Sequence, residues 1–263
     1  MAYTTVMTVS YDGAPFAGFA RQPGQLTVQG RLEEALATAL RRPVDLTCAG
    51  RTDAGVHALG QVVSFAGEDG DPEHAAMLRS LNALAGPDVV VTEARRAPAG
   101  FSARHDAVAR EYRYRLAPGP VPPLFMRDVA WWVKGSLDLG AMRDAAESLL
   151  GEHDFASFCV AGTAARVNAA DGIGTVRGID LLEIAPCSEL GEHIAVVRVV
   201  GRSFLHSMVR ILVGSLMEVG RGRRPASWMD EALESKRREA AGPTAPPHGL
   251  TLWHVSYPDE IWL

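Results

Sequence analysis

Apolar and polar residues alternate weakly from Tyr3 to Ser10, a period of two that predicts a strand, and Asp12-Gly13 then marks a turn. The period changes at Thr27. Val28, Leu32, Leu36 and Leu40 recur every four residues with Ala35 and Ala39 on the same side, so a helix opens there, and Pro43 ends it. Val44–Cys48 and Leu59–Phe65 read as strands, about Glu73–Leu84 as a helix and Val89–Val91 as a strand. This β-α-β-β-α-β order suits a split βαβ, ferredoxin-like unit with helices on one sheet face. The second half repeats the idea, with strands at Val108–Leu116, Val129–Val133, Ile179–Ile184, Ile194–Val200 and Leu250–Val255. Its helices run over Leu139–Leu150, from Phe204 to about Val219 and over Trp228–Leu233. Gly151-Glu152-His153 and Gly191-Glu192-His193 read as turns, and the Ala- and Gly-rich stretch from Ala161 to Gly174 as a mobile loop. The expected fold is α+β: two ferredoxin-like (RRM-like) split-βαβ halves, residues 1–105 and 106–263, whose sheets join around a central cleft.

Composition narrows the class. The chain has 263 residues, 47% hydrophobic and 22% charged, as in an ordinary globular protein with a large core. No apolar run is long enough to span a membrane, and no basic-then-apolar leader precedes Tyr3. Cys48, Cys159 and Cys187 are too far apart for a zinc ribbon and odd in number, which argues against a disulfide framework. A cytoplasmic protein is expected. The net charge of −5 hides two basic segments: six arginines against two acids over Arg95–Arg115, and six against one over Arg198–Arg224. Affinity for phosphates follows local field, so a globally acidic chain can still hold a nucleic acid in one cleft.

The strongest chemical signal is Ala49-Gly50-Arg51-Thr52-Asp53-Ala54-Gly55-Val56-His57. Two glycines permit a sharp bend, so Asp53 can project from a tight loop with Arg51 two positions away. A carboxylate kept ionised beside a guanidinium can serve as nucleophile or base. A second constellation is Arg110-Glu111-Tyr112-Arg113-Tyr114-Arg115, where alternation sets Tyr112 and Tyr114 on one face and Arg113 and Arg115 on the other. Aromatic rings bordered by arginines suit stacking on an unpaired base. The third is the helix after Phe204, apolar around most of its circumference yet carrying Arg210. A guanidinium in such a setting needs a carboxylate, and Asp53 is an attractive partner.

These residues together resemble the tRNA pseudouridine synthase A (TruA) family over nearly the whole chain. The matching pieces are Tyr11-Asp12-Gly13 with Gly18, Thr27-Val28-Gln29, the Asp53 stretch with Gly60-Gln61-Val62-Val63, and Leu81-Asn82-Ala83 with Pro87-Asp88. Further on come Phe101-Ser102-Ala103-Arg104, Glu111-Tyr112-Arg113-Tyr114, Phe204 to Arg210 with Gly214-Ser215-Leu216, and Thr244-Ala245-Pro246-Pro247 with Gly249-Leu250. Their common order and spacing carry the specificity. The resemblance implies an isomerase that turns uridine into pseudouridine at positions 38, 39 and 40 of the tRNA anticodon stem-loop. It also implies a homodimer that needs no cofactor and no metal, with tRNA lying across both subunits. Carried over, Asp53 is the catalytic aspartate, Tyr112 the tyrosine that contacts the target base, and Arg210 the partner of the aspartate. Arg51, Arg104, His57, Asn82 and Phe204 join Tyr112 in binding substrate.

Two departures stand out. Phe19-Ala20 follows Gly18 where the family usually has Trp and Gln, and the usual Ser/Arg-Thr pattern near residues 163–175 is blurred. Both regions are expected to touch RNA. Two other classes compete. A non-catalytic RNA binder of two RRM-like sheets would leave Asp53 without a role. An aspartic hydrolase needs a second aspartate loop, and the chain has no second copy.

Overall fold

The computed structural model describes residues 2–163 and 174–262, so most of the loop expected at Ala161–Gly174 and of the blurred stretch near 163–175 lies outside the described residues. The chain divides into two compact units, Met1–Arg110 with Thr251–Leu263, and Glu111–Leu250. Secondary structure is mixed, and the α+β class holds. The boundary expected at 105/106 lies close to the first division at 110/111, but the final segment returns to the first unit. No helix among the described residues is long and apolar enough to cross a membrane.

In the first unit, β1 (Tyr3–Tyr11) is central and buried along nearly its whole length. It pairs antiparallel with β3 (His57–Gly67) on one side and β4 (Val89–Pro98) on the other. The outer edge of β3 is shared: β2 (Thr47–Cys48) pairs there with Val63 and Ser64, and β11 (Leu250–Ser256) pairs parallel with His57 and Ala58. Helix α1 (Val28–Leu40) begins where the pattern indicates, because the Thr27 hydroxyl accepts the Gly30 N–H. It stops one turn short of Pro43, with Arg41 in the left-handed region at φ 57°. Its buried stripe contains Val28, Leu32, Ala35 and Leu36, and it packs against α2 (His74–Ala85).

Two elements differ from the pattern for identifiable reasons. The strand expected at Val44–Cys48 shrinks to Thr47–Cys48 because the Leu46 N–H is taken by the buried carboxylate of Glu33, at 3.1 Å. The same carboxylate accepts from Gln29 Nε2 and pairs with Arg21. Strand β4 extends seven residues past Val91, through a polar stretch that no alternation announces, because β1 offers backbone partners as far as Tyr3 opposite Pro98. The terminal segment is fastened by rings. Phe101, Tyr257 and Trp262 lie within 5.3–5.8 Å of one another, and the Tyr257 hydroxyl donates to the Ala103 carbonyl at 2.6 Å.

In the second unit, β5 (Ala109–Gly119) pairs with β10 (Glu192–Gly201), which pairs antiparallel with β9 (Leu181–Glu189); β6 (Trp131–Lys134) runs parallel to β5. The segment read as a turn at Gly151-Glu152-His153 is instead a short strand, β7 (Gly151–Asp154), antiparallel to β8 (Val176–Ile179). Gly191, at φ 80°, does lie in a turn between β9 and β10, whereas Glu192 and His193 open β10. Helix α3 (Leu139–Glu147) is capped by Asp138, whose carboxylate accepts the Ala141 N–H. Helix α4 (Met208–Gly220) is buried almost all round, as its apolar circumference requires, and α5 (Trp228–Ser235) follows. Helix α4 starts four residues later than expected, because Ser207 at φ 56° keeps Phe204–Ser207 out of the helix.

Candidate active site

The residues expected at the site fall in both units. In the first unit, residues 49–56 leave the sheet after the Ala49 N–H donates to the Val62 carbonyl. Three features then shape the bend. Gly55 takes φ 76°, and the Val56 N–H closes a turn on the Asp53 carbonyl at 3.2 Å. Gly18, at φ 101°, presses its backbone onto the loop so closely that a Cβ would come 3.0 Å from the Thr52 oxygen. Gly13 is tighter still: a Cβ there would fall 2.1 Å from the Val56 carbonyl oxygen. Asp53 is half-buried on this bend, between exposed Arg51 and exposed Ala54.

Cations flank the bend. Burial pushes the Cys48 thiol up to about 11, against the opposing pull of Arg51, Arg104 and Arg110, so these guanidiniums lie near the loop's first residues and the thiol is unreactive. Arg51 and Arg104 are exposed. Arg110 is not: its guanidinium is buried and donates to the carbonyls of Ala49 (2.9 Å), Arg104 (2.7 Å) and Ala107 (3.4 Å). It thus fixes the start of the loop. The charge count does not distinguish Arg110 from the exposed Arg104, but its strand parity with the buried Tyr112 and Tyr114 does.

His57 closes the loop and is buried at 7% exposure. Its Nδ1 accepts the Gly13 N–H at 3.2 Å and lies 3.1 Å from Asp12 Oδ1. Asn82 lies away from the bend: its Nδ2 donates to the Val91 carbonyl at 2.9 Å and its Oδ1 accepts the Val91 N–H at 2.7 Å, clamping α2 to β4. Phe19, in the segment expected to touch RNA, is 1% exposed and packs on Tyr11 with ring centroids 6.2 Å apart. The Trp-to-Phe departure is therefore a change in the core beneath the loop, not on a surface that meets RNA.

In the second unit, Tyr112 is buried at 8% exposure and meets Phe204 edge-on, with centroids 5.3 Å apart. Phe204 is half-buried just before the left-handed Ser207. Tyr114, fully buried, donates its hydroxyl to the Pro246 carbonyl, and burial pushes its pKa far up against the pull of Arg210. That tyrosine is a core residue. Arg210, half-buried on the first turn of α4, donates Nε to the Ala245 carbonyl at 2.9 Å while its own carbonyl accepts the Ala245 N–H at 3.0 Å.

Most arginines of the two basic segments serve the fold. In the first unit, Arg95 and Arg96 lie over the rings of Trp262 and Tyr3. In the second, Arg113 and Arg198 share the Glu111 carboxylate, Arg115 pairs with Glu189 and Arg223 with Glu218. Burial alone would raise the Glu111 pKa, but the hydrogen bonds from Arg198 and Arg113 outweigh it and hold the carboxyl below its ordinary value. Arg221 and Arg224 lie over Trp131 and Trp228. The sequence count of basic residues therefore overstates the positive field offered to a ligand.

The family profile described as tRNA pseudouridine synthase matches residues 7–106 and 145–258. Among curated proteins, the tRNA pseudouridine synthase A of Frankia casuarinae is 44% identical over 257 residues, covering 97% of this chain and 89% of the relative. That of Geobacter sulfurreducens is 42% identical, covering 97% and 99%, and that of Bacillus subtilis is 41% identical, covering 95% and 97%.

Proposed function

This chain belongs to the tRNA pseudouridine synthase family, and from that premise we propose that it isomerises uridine to pseudouridine at positions 38, 39 and 40 of the tRNA anticodon stem-loop, with Asp53 as the catalytic carboxylate. The observation that carries the assignment is a half-buried carboxylate held on a glycine-shaped bend beside Arg51. The reaction breaks the N1–C1′ bond, forms a C5–C1′ bond, removes the C5 hydrogen and returns a proton to N1. It requires a group that stabilises or captures the sugar, a cradle for the detached uracil and a base for the C5 proton. Asp53 acts on the sugar. Tyr112, on the Phe204 ring, contacts the base and is the candidate for the proton step. By the resemblance, Arg210 is the partner of Asp53, Arg51 helps hold the nucleotide out of its stem and Arg104 binds substrate. The resemblance also gives His57 and Asn82 as substrate-binding, with the Asn82 amide clamping α2 to β4 in this structure.

The strand order β4-β1-β3, with β2 on the far edge of β3 and both helices following their strands, supports a split βαβ, ferredoxin-like reading of the first unit. The ferredoxin-like second half, the central cleft and the homodimer follow from the resemblance, the cytoplasmic location from the cysteine pattern and apolar runs of the sequence, and all belong to the same proposal. Pseudouridine mapping in bulk tRNA lacking the modification, with and without the purified protein, should reveal new pseudouridine at 38–40 only when the protein is present. Tight tRNA binding without any pseudouridine would instead mark a non-catalytic RNA binder.

Because so many arginines are engaged internally, binding should neutralise only about four or five phosphates, giving a log–log salt slope of about −4. Affinity measured across a range of salt checks this. A flat dependence would remove the arginines from the RNA surface, and a slope near −10 would mean that the internal pairs open on binding.

A further inference from the structure

The bend that carries Asp53 rests on a buried polar clamp. Gln61 sits in the middle of β3 at 0% exposure, where a strand that only packed would carry valine or leucine. Its amide is saturated. Oε1 accepts from Gly50 N at 3.4 Å and Val62 N at 3.2 Å, while Nε2 donates to the Gly50 carbonyl at 2.6 Å and to the Tyr11 hydroxyl at 3.4 Å. The Gly50 residue is therefore gripped by both its N–H and its C=O. The Tyr11 hydroxyl in turn shares a 2.8 Å hydrogen bond with Thr52 Oγ1, and the Thr52 carbonyl accepts the Phe19 N–H at 3.0 Å. The residues one and three positions before Asp53 are thus held by side chains and backbone where no sheet ladder reaches.

We propose that Gln61 and Tyr11 are positioning residues for Asp53: through Gly50 and Thr52 they fix the direction in which its carboxylate leaves the bend. The inference rests on reading Asp53 as the catalytic group. A bend without this clamp would still bind RNA through its cations, but its carboxylate would sample several directions, and misplacement of a reacting group by about 1 Å can cost a hundredfold in rate. Loss should therefore appear in kcat and leave binding alone.

The test uses Tyr11→Phe, Thr52→Val, their double variant, Gln61→Met and Asp53→Asn on the same tRNA, with kcat, KM, tRNA Kd and binding stoichiometry measured for each. Tyr11→Phe and Thr52→Val should each lower kcat about tenfold and Gln61→Met about a hundredfold, with KM and Kd within about twofold of the parent. The double variant should lose no more than the worse single, because both remove one hydroxyl pair. Unchanged stoichiometry separates a misdirected carboxylate from a partly unfolded sample. Should Gln61→Met fail to fold, the two hydroxyl deletions decide. Losses that appear in KM, single losses that multiply, or parental kcat in the hydroxyl variants alongside an inactive Asp53→Asn would overturn the clamp alone. An active Asp53→Asn would overturn the catalytic reading and the clamp with it.

Discussion

Asp53→Asn should abolish isomerisation, by at least about 10⁴-fold, while leaving tRNA affinity and thermal stability close to the parent. The substitution is nearly isosteric, an amide oxygen can still accept a hydrogen bond, and the bend is also held through the Asp53 carbonyl, the Thr52 carbonyl and hydroxyl, and both backbone groups of Gly50. An amide keeps the volume and loses the charge, so it neither captures nor stabilises an electron-poor sugar carbon. The Arg51 and Arg104 guanidiniums and the Tyr112 and Phe204 rings that carry RNA affinity keep their charge and shape, and the amide oxygen can still accept a hydrogen bond from a neighbouring guanidinium. Release of tritium from tRNA carrying C5-tritiated uridine reads the reaction directly, because forming the C5–C1′ bond must expel the C5 hydrogen. Turnover within tenfold of the parent would remove Asp53 from the chemistry.

Elements with a strong period are legible in the amino-acid pattern alone. The four-residue stripe of α1, the alternation of β1 and β5 and the apolar circumference of α4 each correspond to an observed element. Tertiary partners decide the others. The polar half of β4 is a strand only because β1 lies beside it, and residues 44–46 are not one because Glu33 captures the Leu46 N–H. The short β7 exists through β8, which is distant in sequence.

The site is legible as chemistry but not as support. Asp53 between two glycines announces itself, since small residues around one carboxylate are costly to keep without a purpose. The clamp beneath it does not, because a glutamine in a strand looks like a solvent-facing residue until its neighbours are known. Charge counting fails in the same way. Glu111 is two residues from Arg113, but nothing in the sequence reveals that it also holds Arg198, or that Glu189 holds Arg115. The one-dimensional excess of arginines is real, but its availability depends on partners that only folding brings near.

Gly214→Ala tests the second unit at its tightest point, and the two effects it combines have opposite signs. Alanine in a helix interior is favoured over glycine by about 1 kcal/mol. Against that, a Cβ at Gly214 would lie 1.7 Å from the Pro243 carbonyl oxygen and 2.9 Å from its carbon, both backbone atoms that no rotamer can move aside. The opposing segment is itself fixed, since the Gly242 N–H donates to Ser215 Oγ at 2.8 Å and a Cβ at Gly242 would meet Ser215 Cα at 2.7 Å. Overpacking against backbone on this scale costs roughly 3 kcal/mol or more, so the steric cost wins and a net loss of about 2 kcal/mol or more is expected in denaturant unfolding. Activity should fall as well. Displacing Pro243 draws away Ala245, whose carbonyl and N–H hold Arg210 one turn along the helix. An alanine variant as stable as the parent would mean that the helix and the 242–246 segment are not in contact in solution, and the geometry assigned to Arg210 would fall with it.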